Sequence, residues 1–416
     1  MTFVDTERNI TTSGGTVNNA AGGKITAQGD TAVGIAVSDS ALNLINAGTI
    51  SALGKTTAYA VWGDGLDDRV SNTGTITGDI VLGGGADAVD NAGTINGAVS
   101  LGDGDDSFRQ SGGGRVNGTI DGGAGTNSFL VTGGTADGPA KFGDIRSFQR
   151  FAQSAGFARI GGTAAFGSIE LTGGRLIGQA GSVITAPQIT VGQGATFGSA
   201  GVVNGNITVA GTLSPGASPG TMTVNGNVAL GSTSTSVFEL SSTVSDRLVV
   251  NGAVSIASGA TLQLVPIGNL RPGASYTLIT ASGGITGSYT NVLQPSDPIG
   301  IFVLRGNEID VIGAFRDTAT TGPQVSRSIA YLNATLAVQP STSTLFDALS
   351  TLVTADDASD PQAFARLTPE PYAAAVQMHV DNALALSAAT RGGSFAASGD
   401  APHLFTFGAT LGDWHR

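Results

Sequence analysis

The chain has no cysteine, and its three histidines all fall near the end, at His379, His403 and His415. Residues 1–315 therefore hold neither residue type. Ser-His-Asp and Cys-His catalysis need an imidazole base, and ordinary zinc sites need His or Cys ligands, so these chemistries are excluded from that stretch. A chain without cysteine also suits passage across a membrane unfolded, because an early disulfide would close a loop too bulky to thread. Cations are scarce: 19 Lys and Arg stand against 31 Asp and Glu, a formal net charge of −12. Nucleic-acid binding rests on clustered cations, so nucleic acid is not an expected partner. No run of 18 apolar residues occurs, which leaves no candidate transmembrane helix. Residues 1–10 lack the basic-then-apolar pattern of a signal peptide, as expected for a chain whose leader was removed or for a fragment.

Glycine is abundant, at 64 of 416 residues, and 40% of the chain is apolar. That much glycine without a Gly-X-Y period is not collagen, and the apolar content is too high for disorder. Glycine turns between short runs rich in valine, isoleucine and threonine predict many short strands. Those runs repeat. Asn72-Thr-Gly-Thr-Ile-Thr-Gly is followed 19 residues later by Asn91-Ala-Gly-Thr-Ile-Asn-Gly, and Asn46-Ala-Gly-Thr-Ile precedes the first by 26. Ile95-Asn96-Gly97 returns after 21 residues as Val116-Asn117-Gly118. Repeats of this length, each with two or three strand-length segments, predict a solenoid of strands. The fold class expected is all-β, a right-handed parallel β-helix, with an α-helical linker after it. Ile76, Ile95 and Val116 should stack in its core.

Related units continue at Ile189-Thr-Val-Gly, Ile207-Thr-Val-Ala-Gly, Met222-Thr-Val-Asn-Gly and Leu248-Val-Val-Asn-Gly. Residues 261–312 read as longer strands. After Phe315 glycine thins, alanine dominates and the apolar period lengthens toward 3.6. Thr368-Pro-Glu-Pro371 is a helix start, and residues 371–390 run on to the stop Arg391-Gly-Gly393. A slim, polar helix about 30 Å long would suit the water-filled lumen of a barrel.

Three segments together resemble the autotransporter family of type V secretion. Gly211-Thr-Leu-Ser-Pro-Gly-Ala-Ser-Pro-Gly-Thr-Met-Thr-Val-Asn-Gly-Asn227 is similar to the passenger-associated transport repeat. Residues 246–315 resemble the C-terminal stable core, or autochaperone region, of passengers, and with Tyr276, Tyr289, Phe302 and Phe315 read as the strongest part of the rod. Residues 363–391 are similar to the helix that leads into the translocator barrel, and Leu404-Phe-Thr-Phe-Gly-Ala-Thr-Leu-Gly-Asp-Trp414 to that barrel's first strand. The resemblance implies a β-helical passenger over 1–235, a passenger core over 236–316, an α-helical linker over 317–398 and the first strand of a truncated β-barrel over 399–416. It implies a secreted or cell-surface protein at the outer membrane of a Gram-negative bacterium. The expected partners are the outer-membrane translocation machinery and surface ligands of host or neighbouring cells, or the chain itself.

Residues 64–106 hold nine aspartates against one base, Arg69. Gly83-x-Gly85-x-Asp87-x-Val89 recurs as Gly102-x-Gly104-x-Asp106-x-Phe108 and then as Gly123-x-Gly125-x-Asn127-x-Phe129. These copies match the tail of the calcium-binding β-roll nonapeptide and nominate Asp87 and Asp106 as calcium ligands. The competing reading is a ladder of tight glycine turns carrying solvated aspartates, with no cofactor. Asp105-Asp106 is also similar to the paired aspartates of β-helical glycan hydrolases, although their second Asp motif, histidine and Arg-x-Lys are not found. The expected function is non-enzymatic, adhesion or self-association by a surface rod. The alternatives are a glycan-active β-helical enzyme using aspartates and a calcium-stabilised surface-layer-like protein.

Overall fold

The computed structural model describes residues 11–12, 15–216, 219–268, 270–295, 300–316, 322–337, 348–356 and 358–367, with 380, 383 and 384. They divide into two units, Met1–Ala314 and Phe315–Arg416. The first unit is a parallel β-helix. Each coil lays short strands on three faces, and each strand pairs in parallel with its counterparts one coil before and one coil after.

Strand alternation sends every second side chain inward. On the first face Val70, Val89, Phe108, Phe129, Phe151 and Ile169 stand in register on successive coils. The second face stacks Ile50, Ile76, Ile95, Val116, Phe142 and Ile160. The third stacks Val61, Ile80, Val99, Ile120, Ile145 and Ala164. All of these side chains are buried in one continuous core. Ile76, Ile95 and Val116 thus occupy the positions that the repeat predicts. Pairing passes unbroken through residue 235, where Thr235 aligns with Thr212 before it and Thr261 after it.

Two features differ from the sequence reading. The longest strands are Lys24–Val37 and Thr49–Trp62, at 14 residues each, while those between 261 and 312 have three to seven. The long pair runs around a corner with only a register shift at Gly29, so two faces share one strand. Among the described residues, the densest aromatic packing also lies earlier than residues 246–315. Phe108 stacks on Phe129 at 4.9 Å and Phe129 on Phe151 at 5.5 Å, with Phe142, Phe148 and Phe166 edge-on or near it.

The parallel stack ends in an antiparallel hairpin. Gly300–Arg305 and Glu308–Gly313 pair with each other, and Glu308–Gly313 also pairs antiparallel with Ser275–Ala281. Gly306, at φ +59°, makes the turn. The hairpin occupies an edge that would otherwise offer free backbone groups to another strand.

In the second unit, α1 spans Pro323–Leu336, a 3₁₀ turn spans Leu349–Leu352 and α2 spans Pro361–Arg366. Asp360 caps α2 by accepting from the Gln362 and Ala363 amides at 2.9 and 3.3 Å. Phe364 packs edge-on against Phe315 at 5.3 Å, and the Asn333 amide clasps the Phe315 backbone at 3.1 and 2.9 Å. The alanine-rich stretch is helical here in short pieces. Most of the predicted helix over 371–390, and all of the strand over 404–414, lie outside the described residues.

Candidate functional site

The recurring G-x-G-x-D segment forms the corner between the third and first faces. Gly83, Gly102 and Gly123 align on successive coils, each at positive φ, between +78° and +114°. A Cβ on Gly102 or Gly123 would meet the carbonyl oxygen of the glycine one coil earlier at 1.8 Å. Gly104 and Gly125 meet Gly85 and Gly104 in the same way, at 1.8 and 2.0 Å. Only glycine fits both the left-handed backbone and the contact. The glycine ladder of the sequence reading is therefore present.

The aspartates are not solvated as that reading had them. Asp87 and Asp106 are each 1% exposed, as is Asp68 one coil earlier. The carboxylates are linked coil to coil through the backbone. Asp68 accepts from the Leu42 amide at 2.7 Å, Asp87 from Asp68 at 2.7 Å and Asp106 from Asp87 at 2.8 Å. Asn127 continues the column by accepting from the Asp106 amide at 2.8 Å, and Gln149 by accepting from Asn127 at 2.5 Å. The turn shields these carboxylates because its amide, pointing inward, needs an acceptor.

One oxygen of each carboxylate is thus used. The Oδ2 atoms of Asp68, Asp87 and Asp106 are buried and make no hydrogen bond. Burial disfavours the charged form, and the Asp68 amide bond only partly offsets it, so the Asp87 carboxyl is pushed up to about 7. Burial likewise raises Asp68 and Asp106, with the neighbouring aspartates Asp64, Asp67, Asp103 and Asp105 adding to the effect. Among the described residues no three His, Asp or Glu side chains are arranged to hold a metal ion. Asp105, next to Asp106, is exposed and accepts from the Thr126 amide at 2.7 Å. Of the two neighbouring carboxylates, Asp106 is thus buried and Asp105 exposed.

A second buried column, one of amides, was missed by sequence reasoning. Asn19, Asn46, Asn72, Asn91 and Gln110 align on the first face, and each Asn amide donates to the next side chain, at 2.7, 2.7, 2.8 and 3.0 Å. The remaining N–H of Asn46, Asn72 and Asn91 faces a glycine carbonyl two residues on, at 3.2 to 3.4 Å. The signal was visible in the Asn-x-Gly-Thr-Ile repeat itself. Asp68 was missed because Asp64 and Leu66 stand where the later coils carry the two glycines, although counting 19 residues back from Asp87 lands on it. Compared with protein-family models and with curated proteins, the chain matches none.

Proposed function

We propose that this chain is an autotransporter-type passenger that acts at the cell surface by adhesion or self-association, without catalysis. The observation that carries the reading is the long parallel β-helix. Its last coils are formed by the segments similar to the transport repeat and to the passenger core, and a hairpin ends the stack within that core. Asp246, buried beneath the transport-repeat-like loop, supports it: its carboxylate accepts from Gly220 at 3.0 Å and Glu239 at 2.8 Å, tying the loop to the next coil. A rod of repeated faces offers many equivalent groups, which suits weak multivalent contact. The test is to place the chain in frame before a heterologous translocator barrel. Surface display, seen as removal by protease added to intact cells, is the expected result; retention inside the cell would overturn the reading.

A calcium-stabilised form of the same rod is the second reading, favoured by the three unpartnered Oδ2 atoms. A buried carboxylate oxygen that accepts no hydrogen bond is stabilised by a proton or by a cation. If the ion is calcium, millimolar calcium raises the melting temperature, and replacing Asp87 and Asp106 with Asn removes that rise. No shift in the parent protein would end this reading.

A further inference from the structure

The few cations of the coils are unevenly used. Between residues 105 and 180 three arginines are matched by carboxylates: Arg109 with Asp90 at 3.7 Å, Arg146 with Asp121 at 2.7 Å and Arg150 with Glu170 at 2.7 Å. These lie on the first and third faces. The other four, Arg115, Lys141, Arg159 and Arg175, form no ion pair among the described residues, and all four lie on the second face. Arg115 aligns with Lys141 and Lys141 with Arg159 on successive coils, and Arg175 follows one coil later, aligned with Phe157. At about 4.8 Å per coil the row is roughly 14 Å long.

The row is also held in place. Arg159 and Arg175 both lie over the Phe157 ring, at 5.0 and 5.2 Å, which fixes two long side chains before any partner arrives. Arg159 Nε is buried without a hydrogen-bond acceptor. Arg115 and Lys141 line a shallow groove of about 140 Å³ with Asp137, Pro139 and the backbone of glycines 113 and 114. The groove thus pairs two cations with one carboxylate able to accept from hydroxyl groups.

We propose that the second face of the β-helix binds a linear anionic polysaccharide through Arg115, Lys141, Arg159 and Arg175. Single cations one coil apart match charges borne on successive or alternate sugars. Duplex nucleic acid carries a charge about every 1.7 Å, far denser than this row. Single strands are held by stacking on exposed aromatics. The exposed aromatics among the described residues are Trp62, on the third face, and Tyr331, in the helical unit, while Phe157 is buried under its two arginines. The proposal rests on the reading of the rod as an adhesive surface and names what it adheres to.

The test uses the full chain and heparin, which carries sulfate and carboxylate, titrated across a salt series by calorimetry. Arg115→Gln with Lys141→Gln should weaken binding at least about ten-fold and lower the log–log salt slope by about two. Arg109→Gln with Arg150→Gln removes the same charge from the first face and should change affinity less than about two-fold. Arg115→Lys with Lys141→Arg keeps the charges and should keep binding, which separates charge from folding. Polygalacturonate, bearing carboxylate only, assigns the anion: binding shows that carboxylate suffices, whereas binding of heparin alone restricts the site to sulfate. Absence of binding to both heparin and polygalacturonate, equal loss in the first-face variant, or single-stranded DNA binding as tightly as heparin would each overturn the proposal. A rod that displays normally on cells but ignores both polysaccharides leaves the passenger reading standing and removes only this one.

Discussion

Asn72 accepts from Asn46 and donates to Asn91 inside the first face, so one side chain serves three coils. Replacing it with valine leaves a buried donor on Asn46 and a buried acceptor on Asn91 unpaired. We expect Asn72→Val to destabilise the protein by about 2–4 kcal/mol in chemical denaturation, since each orphaned group costs about 1–3 kcal/mol. Gln110→Leu, at the end of the column, orphans one side-chain partner, the Asn91 donor, together with the Gly112 carbonyl, and should cost less than Asn72→Val. Val131 already stands in that register one coil on, so an apolar residue fits the position. Asp87 gives a pH prediction. Its carboxyl rises from the ordinary 3.8 to about 7 on folding, so the folded state binds its proton more tightly than the unfolded state does. The resulting stabilisation is full below pH 4 and is lost as pH climbs to 7. Asp246, pushed up to about 6 by burial, acts in the same direction. Melting temperature should therefore fall between pH 5 and pH 8. Asp87→Asn keeps the acceptor for the Asp68 amide, as Asn127 does naturally, and removes the charge. It should raise the melting temperature at pH 8 by roughly 2–5 °C and change it little at pH 5. An equal gain at both pH values would show that charge is not the cause.

Each corner is an element with its own rule, and glycine substitutions read it directly. Gly104 sits at φ +148° with its would-be Cβ 1.8 Å from the Gly85 carbonyl oxygen. Gly65, two coils earlier near the same corner, has open space around it. Gly104→Ala should cost more than about 3 kcal/mol and Gly65→Ala less than about 0.5 kcal/mol, measured by denaturant titration. The same rule explains what could be read from sequence. In Asn-x-Gly-Thr-Ile the inward Ile, outward Thr and close-packed Gly follow from strand alternation and the 19- and 21-residue spacing, so the coils and their register were legible. Whether the Asp of Gly-x-Gly-x-Asp faces solvent was not, because alternation breaks at a corner and positive φ resets which way a side chain points. The row Arg115, Lys141, Arg159, Arg175 was hidden for another reason. Its members lie 26, 18 and 16 residues apart, and only strand pairing reveals that these unequal steps each advance one coil. The terminal hairpin escaped notice because Ile301-Phe-Val-Leu304 and Ile309-Asp-Val-Ile312 carry the same apolar composition as parallel strands.

For the β-helix as a whole, stability is a sum of coils and their contacts with neighbours, so its end can govern how fast the rest forms. A fragment of residues 1–240 loses the hairpin and leaves Thr235–Leu240 without its partner Thr261–Pro266. We expect that fragment to refold at least about ten-fold more slowly than the parent and to melt lower, by stopped-flow and thermal denaturation. Refolding at the parent rate would remove the templating role from residues 246–315, and the phenylalanine stack around Phe129 would become the better nucleus. The coil-to-coil pairing also has a mechanical consequence. Backbone hydrogen bonds on all three faces run along the stack, so tension between the two ends of the β-helix loads them in line, one coil at a time. They should open like a zipper and not shear together. A 19-residue coil held within one strand spacing would release about 65 Å of chain as it lets go. Pulled by its ends, the rod would then yield in a long series of steps, each set by the length of the coil that opens, and would act as a shock absorber between whatever it joins.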